Sequence, residues 1–263
     1  MSTVRDRMWM WGHEAGSHDT GYNIGRTSRM TPAEAAFYMD IPNMIMVRYL
    51  DKPEMPFDQH AIAFRPLKEV FWSVVGAAGR SSQEELNHVL DLSKRFPNIT
   101  GIFMDDFFHK PGTEGDLGVL PVAEIQTLRD KLAVDGKRLE LGVTLYTHQL
   151  DMPLGPYLDL CDWVSLWTWN APDLKDIEAN FAKCEQLSPH SKKMLGLYMW
   201  DYGLKKPMPL DLMKMQADLA LRWLREGRIG GMIFLASCIC DLELDAVEWS
   251  RAWIREVGDE QLS

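Results

Sequence analysis

The stretch Ile99-Thr100-Gly101-Ile102-Phe103-Met104-Asp105-Asp106-Phe107 decides the fold. Its middle is apolar on both alternating sets of side chains. A strand with this pattern is buried on both faces, as strands of a parallel sheet covered by helices are. It then runs directly into two adjacent carboxylates, which an ordinary solvent-facing strand end does not need. Seven further runs share the apolar character, so that the chain carries eight in all, at 8–13, 43–49, 69–76, 99–107, 139–147, 162–169, 193–200 and 231–237.

Between these runs lie segments with apolar residues at helical spacing and readable start signals. Thr31-Pro32-Ala33-Glu34 has the pattern of a capping box with proline at the first helical position. Ser82-Gln83-Glu84-Glu85 repeats the box ahead of Leu86, Val89, Leu90 and Leu92. Pro121 opens a helix carrying Ile125, Leu128 and Leu132, with a stop at Asp135-Gly136. Pro172 precedes Ile177, Phe181 and Cys184, Pro209 precedes Leu212, Met215, Leu219 and Trp223, and a last helix spans about 244–257. Two crossovers are weaker: 53–67 is interrupted by prolines, and 152–161 leaves room for about two turns. Eight strand–helix alternations without a linker predict a single (β/α)₈ TIM barrel over residues 1–263, with an open doubly wound sheet as the alternative.

Composition narrows the function. The net charge of −10 disfavours a nucleic-acid partner, since phosphate binding needs basic surface. No apolar stretch approaches a membrane span, and the N-terminal Met1-Ser2-Thr3-Val4-Arg5-Asp6-Arg7 lacks the apolar core of a signal peptide, so with Met1 as the native start a cytoplasmic location is expected. No glycine fingerprint for a dinucleotide and no P-loop occurs, and no cofactor is expected. Cys161, Cys184, Cys238 and Cys240 read as buried small hydrophobes, the last two on one face of a strand.

In a (β/α)₈ barrel, chemistry sits just past the C-terminal ends of the strands. Reading those ends gives His13 and Glu14, Arg48 and Tyr49, Arg80, Asp105 and Asp106, Tyr146 and His148, Trp167 and Trp169, then Trp200, Asp201 and Tyr202, and finally Asp241 and Glu243. Because side chains alternate along a strand, one of Asp105 and Asp106 is expected at the barrel mouth and the other toward the helices or a loop. The second carboxyl of a catalytic pair is expected from another strand, Asp201 first and Glu14 next. His13, Arg48, Tyr146, His148, Trp167, Trp169, Trp200 and Tyr202 are candidates for substrate contact, the tryptophans because aromatic faces pack on the apolar faces of sugar rings.

At its fourth strand the chain resembles the glycoside-hydrolase-type barrels. Many of these end that strand in Gly-φ-x-φ-Asp, φ being apolar, matched here by Gly101, Ile102, Met104 and Asp105. The resemblance implies that Asp105 is a nucleophile, a stabilising carboxylate or a substrate ligand. The chitinase-type pattern adds Glu two residues after that Asp, where this chain has Phe107, and barrels with Glu on strands four and seven differ in that strand seven here ends in Asp201. Hydrolysis of a glycosidic bond needs an acid and a nucleophile or base. The leading expectation is therefore a carbohydrate-active hydrolase. The alternatives are a metal-dependent sugar isomerase, aldolase or hydrolase using His13, His18 and His148 with the acids, and a sugar-binding barrel without chemistry. The missing ligand spacing on the first strand sets the expectation of no metal.

Overall fold

The computed structural model describes residues 2–76 and 80–262, with backbone only for Arg80 and Ser81. The expectation for Arg80 thus lies outside the described side chains. Eight parallel strands close into a barrel: β1 (Met8–Gly12), β2 (Asn43–Met46), β3 (Glu69–Gly76), β4 (Ile99–Met104), β5 (Glu140–Tyr146), β6 (Trp163–Trp167), β7 (Lys192–Tyr198) and β8 (Gly231–Leu235). Each pairs in parallel with its sequence neighbours, and β1 pairs with β8 through Met8–Met232 to Trp11–Leu235, which closes the ring. The open-sheet alternative is excluded. The crossovers hold α1 (Pro32–Met39), α2 (Asp58–Ala63), α3 (Gln83–Arg95), α4 (Val122–Asp130), α5 (Gly155–Leu158), α6 (Ile177–Leu187) and α7 (Leu210–Arg225), and α8 (Asp245–Val257) follows β8. No helix is long and apolar enough to cross a membrane among the described residues.

Local signals and structure agree where hydrogen bonds enforce them. The Thr31 hydroxyl accepts from the Glu34 amide while the Glu34 carboxylate accepts from the Thr31 amide at 2.8 Å, a complete capping box. Ser82 accepts from the Glu85 amide at 3.4 Å, which is one half of the box. Glu85 itself turns toward Arg48. The two weak crossovers carry the two shortest helices, α2 and α5. Asp135-Gly136 does not stop a helix. Both residues have positive φ, 47° and 80°, and form the tight turn of a small antiparallel pair, Ala133–Val134 with Lys137–Arg138. Cys238 and Cys240 are buried, as expected, but in a 3₁₀ turn after β8 and not within it.

The barrel interior is aromatic, and glycines make room for it. Residues two apart on a strand face inward together, which gives Gly101 and Phe103 on β4 with Asp105 just past its end, and Gly196 and Tyr198 on β7. A β-carbon on Gly196 would meet the Trp167 ring at 2.1 Å, and one on Gly142 would meet Phe103 at 2.4 Å. Trp9 packs on Phe71 with ring centroids 4.9 Å apart, and above them Trp11 packs edge-on against both Phe103 and Trp167, at 5.5 and 5.1 Å. This second layer is the floor on which the cavity at the C-terminal mouth rests.

Candidate functional site

Above that floor lies a small open cavity of about 60 Å³. It is lined from seven of the eight strand ends. Asp105 and Asp106 follow β4, Thr144 and Tyr146 come from β5, Trp167 and Trp169 from β6, and Tyr198 and Tyr202 from β7 and the turn after it. His13, His18 and Tyr22 come from β1 and its following loop, Tyr49 from the end of β2 and Leu235 from β8.

Both adjacent aspartates line this one cavity, contrary to the expectation that one would turn away. The reason is local. The Asp105 amide still donates to the Val75 carbonyl at 2.8 Å, so the strand geometry runs to residue 105. Asp106 then adopts a left-handed conformation, φ 45°, which aspartate tolerates better than most residues. This breaks the alternation and returns its carboxylate to the mouth. Asp105 is buried, 4% exposed, and its Oδ1 accepts from the Thr144 hydroxyl at 3.2 Å. Burial, and then the neighbouring Asp106 carboxylate, hold the Asp105 pKa well above the usual carboxylate range. The Tyr146 hydroxyl donates to Asp106 Oδ1 at 2.6 Å.

The opposite wall is built from neutral imidazoles and phenols. His13 Nε2 accepts from Trp11 Nε1 at 3.2 Å, which leaves its ring proton on Nδ1. Burial pushes the His13 pKa down to about 4, the Val47 carbonyl opposing this from beyond regular hydrogen-bond geometry. His18 lies 4.6 Å from His13 between ring centroids, and burial followed by His13 pushes its pKa well below the usual range. His18 Nδ1 and the Tyr202 hydroxyl are 2.9 Å apart. The site therefore joins a carboxyl suited to carry a proton, a second carboxyl gripped by a tyrosine, and uncharged hydrogen-bonding rings. Such a set can move a proton to a bound polar group and orient hydroxyls against aromatic faces. Among the described residues, no group of three or more His, Cys, Asp or Glu side chains is placed to hold a metal ion.

Of the residues singled out from sequence, the cavity brings together Asp105, Asp106, His13, His18, Tyr49, Tyr146, Trp167, Trp169 and Tyr202. Trp167 is 1% exposed and donates to Ser165 Oγ at 2.8 Å, so it is floor, whereas half-buried Trp169 offers an accessible face. Seven others lie elsewhere, among them Asp241, which accepts from the Arg29 amide at 2.8 Å, and Glu243, 3.9 Å from Arg26. Asp201 is fully buried in the turn after β7, where its Oδ1 accepts from the Leu204 amide at 3.0 Å. Glu14 lies 3.7 Å from His60 of α2. Arg48 is turned to Glu85 at 3.1 Å and to the Pro53 carbonyl. His148 is exposed and stacks on the outer side of Tyr146 with an interplanar angle of 11°. The Trp200 indole donates to the Tyr22 carbonyl at 3.1 Å, and the residue faces a groove beside Met208 and Leu244.

Thr144, Tyr198 and Tyr22 were not among those residues. Thr144 and Tyr198 could have been found by stepping back two positions from Tyr146 and Trp200 along strands whose inner face was in view. Tyr22 sits in a loop, and its approach to Tyr202, 4.9 Å between rings, has no local signal.

No family model matches the chain, and no curated protein matches it in sequence. Solved structures share its architecture at low identity. The family GH18 chitinase of Cycas revoluta, in complex with allosamidin, is 15% identical with a TM-score of 0.57 over 93% of this chain and 98% of that one. Active domain 2 of the thermostable chitinase of Pyrococcus furiosus, studied with chito-oligosaccharides, is 14% identical with a TM-score of 0.56 over 88% and 83%. The tryptophan synthase α-subunit of the same organism is 9% identical with a TM-score of 0.52 over 98% and 99%. The fold shared with these structures is thus a (β/α)₈ barrel. A barrel of such different chemistries carries the fold alone, and function has to be argued from the site.

Proposed function

We propose that this protein hydrolyses a glycosidic bond in the aromatic cavity at the mouth of its barrel. The observation that carries this reading is the coexistence, in one cavity, of a buried carboxyl of raised pKa and a second carboxyl held by a tyrosine. Asp105 is the proton donor to the glycosidic oxygen. Asp106, oriented by Tyr146, faces the positive charge that develops at the anomeric carbon. Trp169 and the tyrosines pack on the ring, and His13 and His18 contact its hydroxyls. The likeness to chitinases captured with chito-oligosaccharides and allosamidin puts N-acetylglucosamine oligomers first among substrates to try.

A second reading, a sugar-binding barrel without turnover, is favoured by one specific fact: the carboxyls expected across the mouth, Asp201 and Glu14, do not line the cavity. The two separate cleanly. Wild-type protein and the Asp105→Asn and Asp106→Asn variants are assayed on aryl glycosides and on oligosaccharides of N-acetylglucosamine, glucose, mannose and xylose, with calorimetric titration of the same sugars. Turnover lost in either variant, with binding kept, supports hydrolysis. Binding with no turnover in wild type supports the second reading, and neither binding nor turnover rejects both.

A further inference from the structure

We infer that the cavity takes the non-reducing end of a carbohydrate chain, one terminal unit at a time, an inference that rests on the hydrolytic reading above. It comes from how the mouth is walled. Five rings form a continuous collar: Tyr49, Tyr22, Tyr202, Trp169 and Tyr146. Successive centroids are 6.3, 4.9, 6.4 and 5.9 Å apart. They come in turn from β2, the β1 loop, the turn after β7, β6 and β5. A chain lying across the mouth needs a way out on two sides, and this collar closes the side running from β2 round to β5.

The loop that supplies Tyr22 is fastened down. Beyond the Trp200 bond to the Tyr22 carbonyl, Asn23 Nδ2 donates to the Lys205 carbonyl at 3.3 Å. Arg26 Nη1 donates to the Leu242 carbonyl at 2.6 Å, and the Arg29 amide donates to Asp241 Oδ2 at 2.8 Å. These bonds tie the β1 loop to the segments after β7 and β8, so the wall belongs to the folded state. Inside it the cavity is small, about 60 Å³, and the paired carboxyls lie low in it against Thr144 and Tyr146. The bond within their reach is the one that joins the enclosed unit to the next. Water adds to the anomeric carbon of the enclosed unit as its bond to the neighbouring oxygen breaks. That oxygen leaves with the rest of the chain carrying the proton from Asp105, the incoming water gives up a proton to the Asp106 carboxylate, exchange with solvent returns both carboxyls to their starting states, and a monosaccharide is released.

The test is a ladder. Tetrasaccharides of N-acetylglucosamine, glucose, mannose and xylose, labelled at the reducing end, are digested and sampled from the earliest times by chromatography. The expected course on the cleaved sugar is labelled trisaccharide first, then labelled disaccharide. Labelled disaccharide and monosaccharide present together from the first samples mean internal cleavage and overturn this inference while leaving hydrolysis intact. If no ladder is cut, calorimetry on oligomers of one to six units decides. Affinity level beyond the second unit supports an enclosed terminus, a tenfold rise from three to six units overturns it, and no binding at all overturns it together with the hydrolytic reading. In a Tyr22→Ala variant that melts as a folded protein, internal products are expected to appear, and strictly sequential release in that variant would remove the collar from the explanation.

Discussion

Replacing Asp105 by Asn separates charge from shape at the centre of the site. The amide keeps an oxygen for the Thr144 hydroxyl, so the 3.2 Å bond has a partner in the variant. What is lost is a carboxyl that burial and Asp106 keep protonated to unusually high pH. The unfolded chain releases that proton near pH ~3.9. The folded chain therefore binds the extra proton, and the contribution of this group to stability is complete below the unfolded pKa and is lost as pH rises through the folded one. Across that window each pH unit costs the wild type about 1.4 kcal/mol, and costs the amide nothing. In a domain of this size 1 kcal/mol moves Tm by roughly 2–4 °C. Asp105→Asn should thus gain on the wild type in thermal scans as the buffer is taken from about pH 4.5 to about pH 8. The same variant should lose about 10²–10⁴ in kcat/KM, the usual worth of a positioned general acid. Calorimetric scans at several pH values, paired with rate measurements on the cleaved sugar, give both numbers. A Tm difference that does not change with pH, or a variant that is the less stable one at pH 8, would show Asp105 to be ionised in the folded protein and would refute its role as proton donor.

Three further outcomes follow from the geometry. Tyr146→Phe removes the donor to Asp106 Oδ1 while keeping the ring, and should lower kcat by about 1.5–3 kcal/mol of barrier with little change in KM; an equal loss in KM would assign Tyr146 to sugar binding instead. Gly196→Ala puts a methyl into the Trp167 ring at the cavity floor and should cost about 1–3 kcal/mol in chemical denaturation, with tryptophan fluorescence altered in the folded state; wild-type stability would mean that the floor can shift. Asp201→Ala takes the acceptor from the Leu204 amide and should destabilise by about 1–3 kcal/mol while turnover of the folded protein stays within a fewfold of wild type. A loss comparable to that of Asp105→Asn would return Asp201 to the chemistry.

Much of this protein is legible without coordinates. Eight doubly buried runs separated by capped amphipathic segments determine eight parallel strands under helices, because a backbone buried on both faces has only a ladder to satisfy it. A carboxylate pair at the end of the fourth run determines where chemistry can sit, since parallel strands in one barrel share a C-terminal face. Strand periodicity also carried Tyr146, Trp167 and Trp169 into the cavity with their neighbours. It failed wherever the chain left the strand. Asp106 returns to the mouth through a left-handed residue, Asp201 drops into a turn, Trp200 turns to a loop carbonyl and Arg48 is taken by a glutamate of α3. Past a strand end no ladder fixes which side a residue faces, so the direction of each side chain is set by partners distant in sequence. The collar is the extreme case. Tyr22 and Tyr202 are 180 residues apart by their numbering, and their meeting is decided by the closure of β1 against β8 and by loop hydrogen bonds that no local pattern encodes.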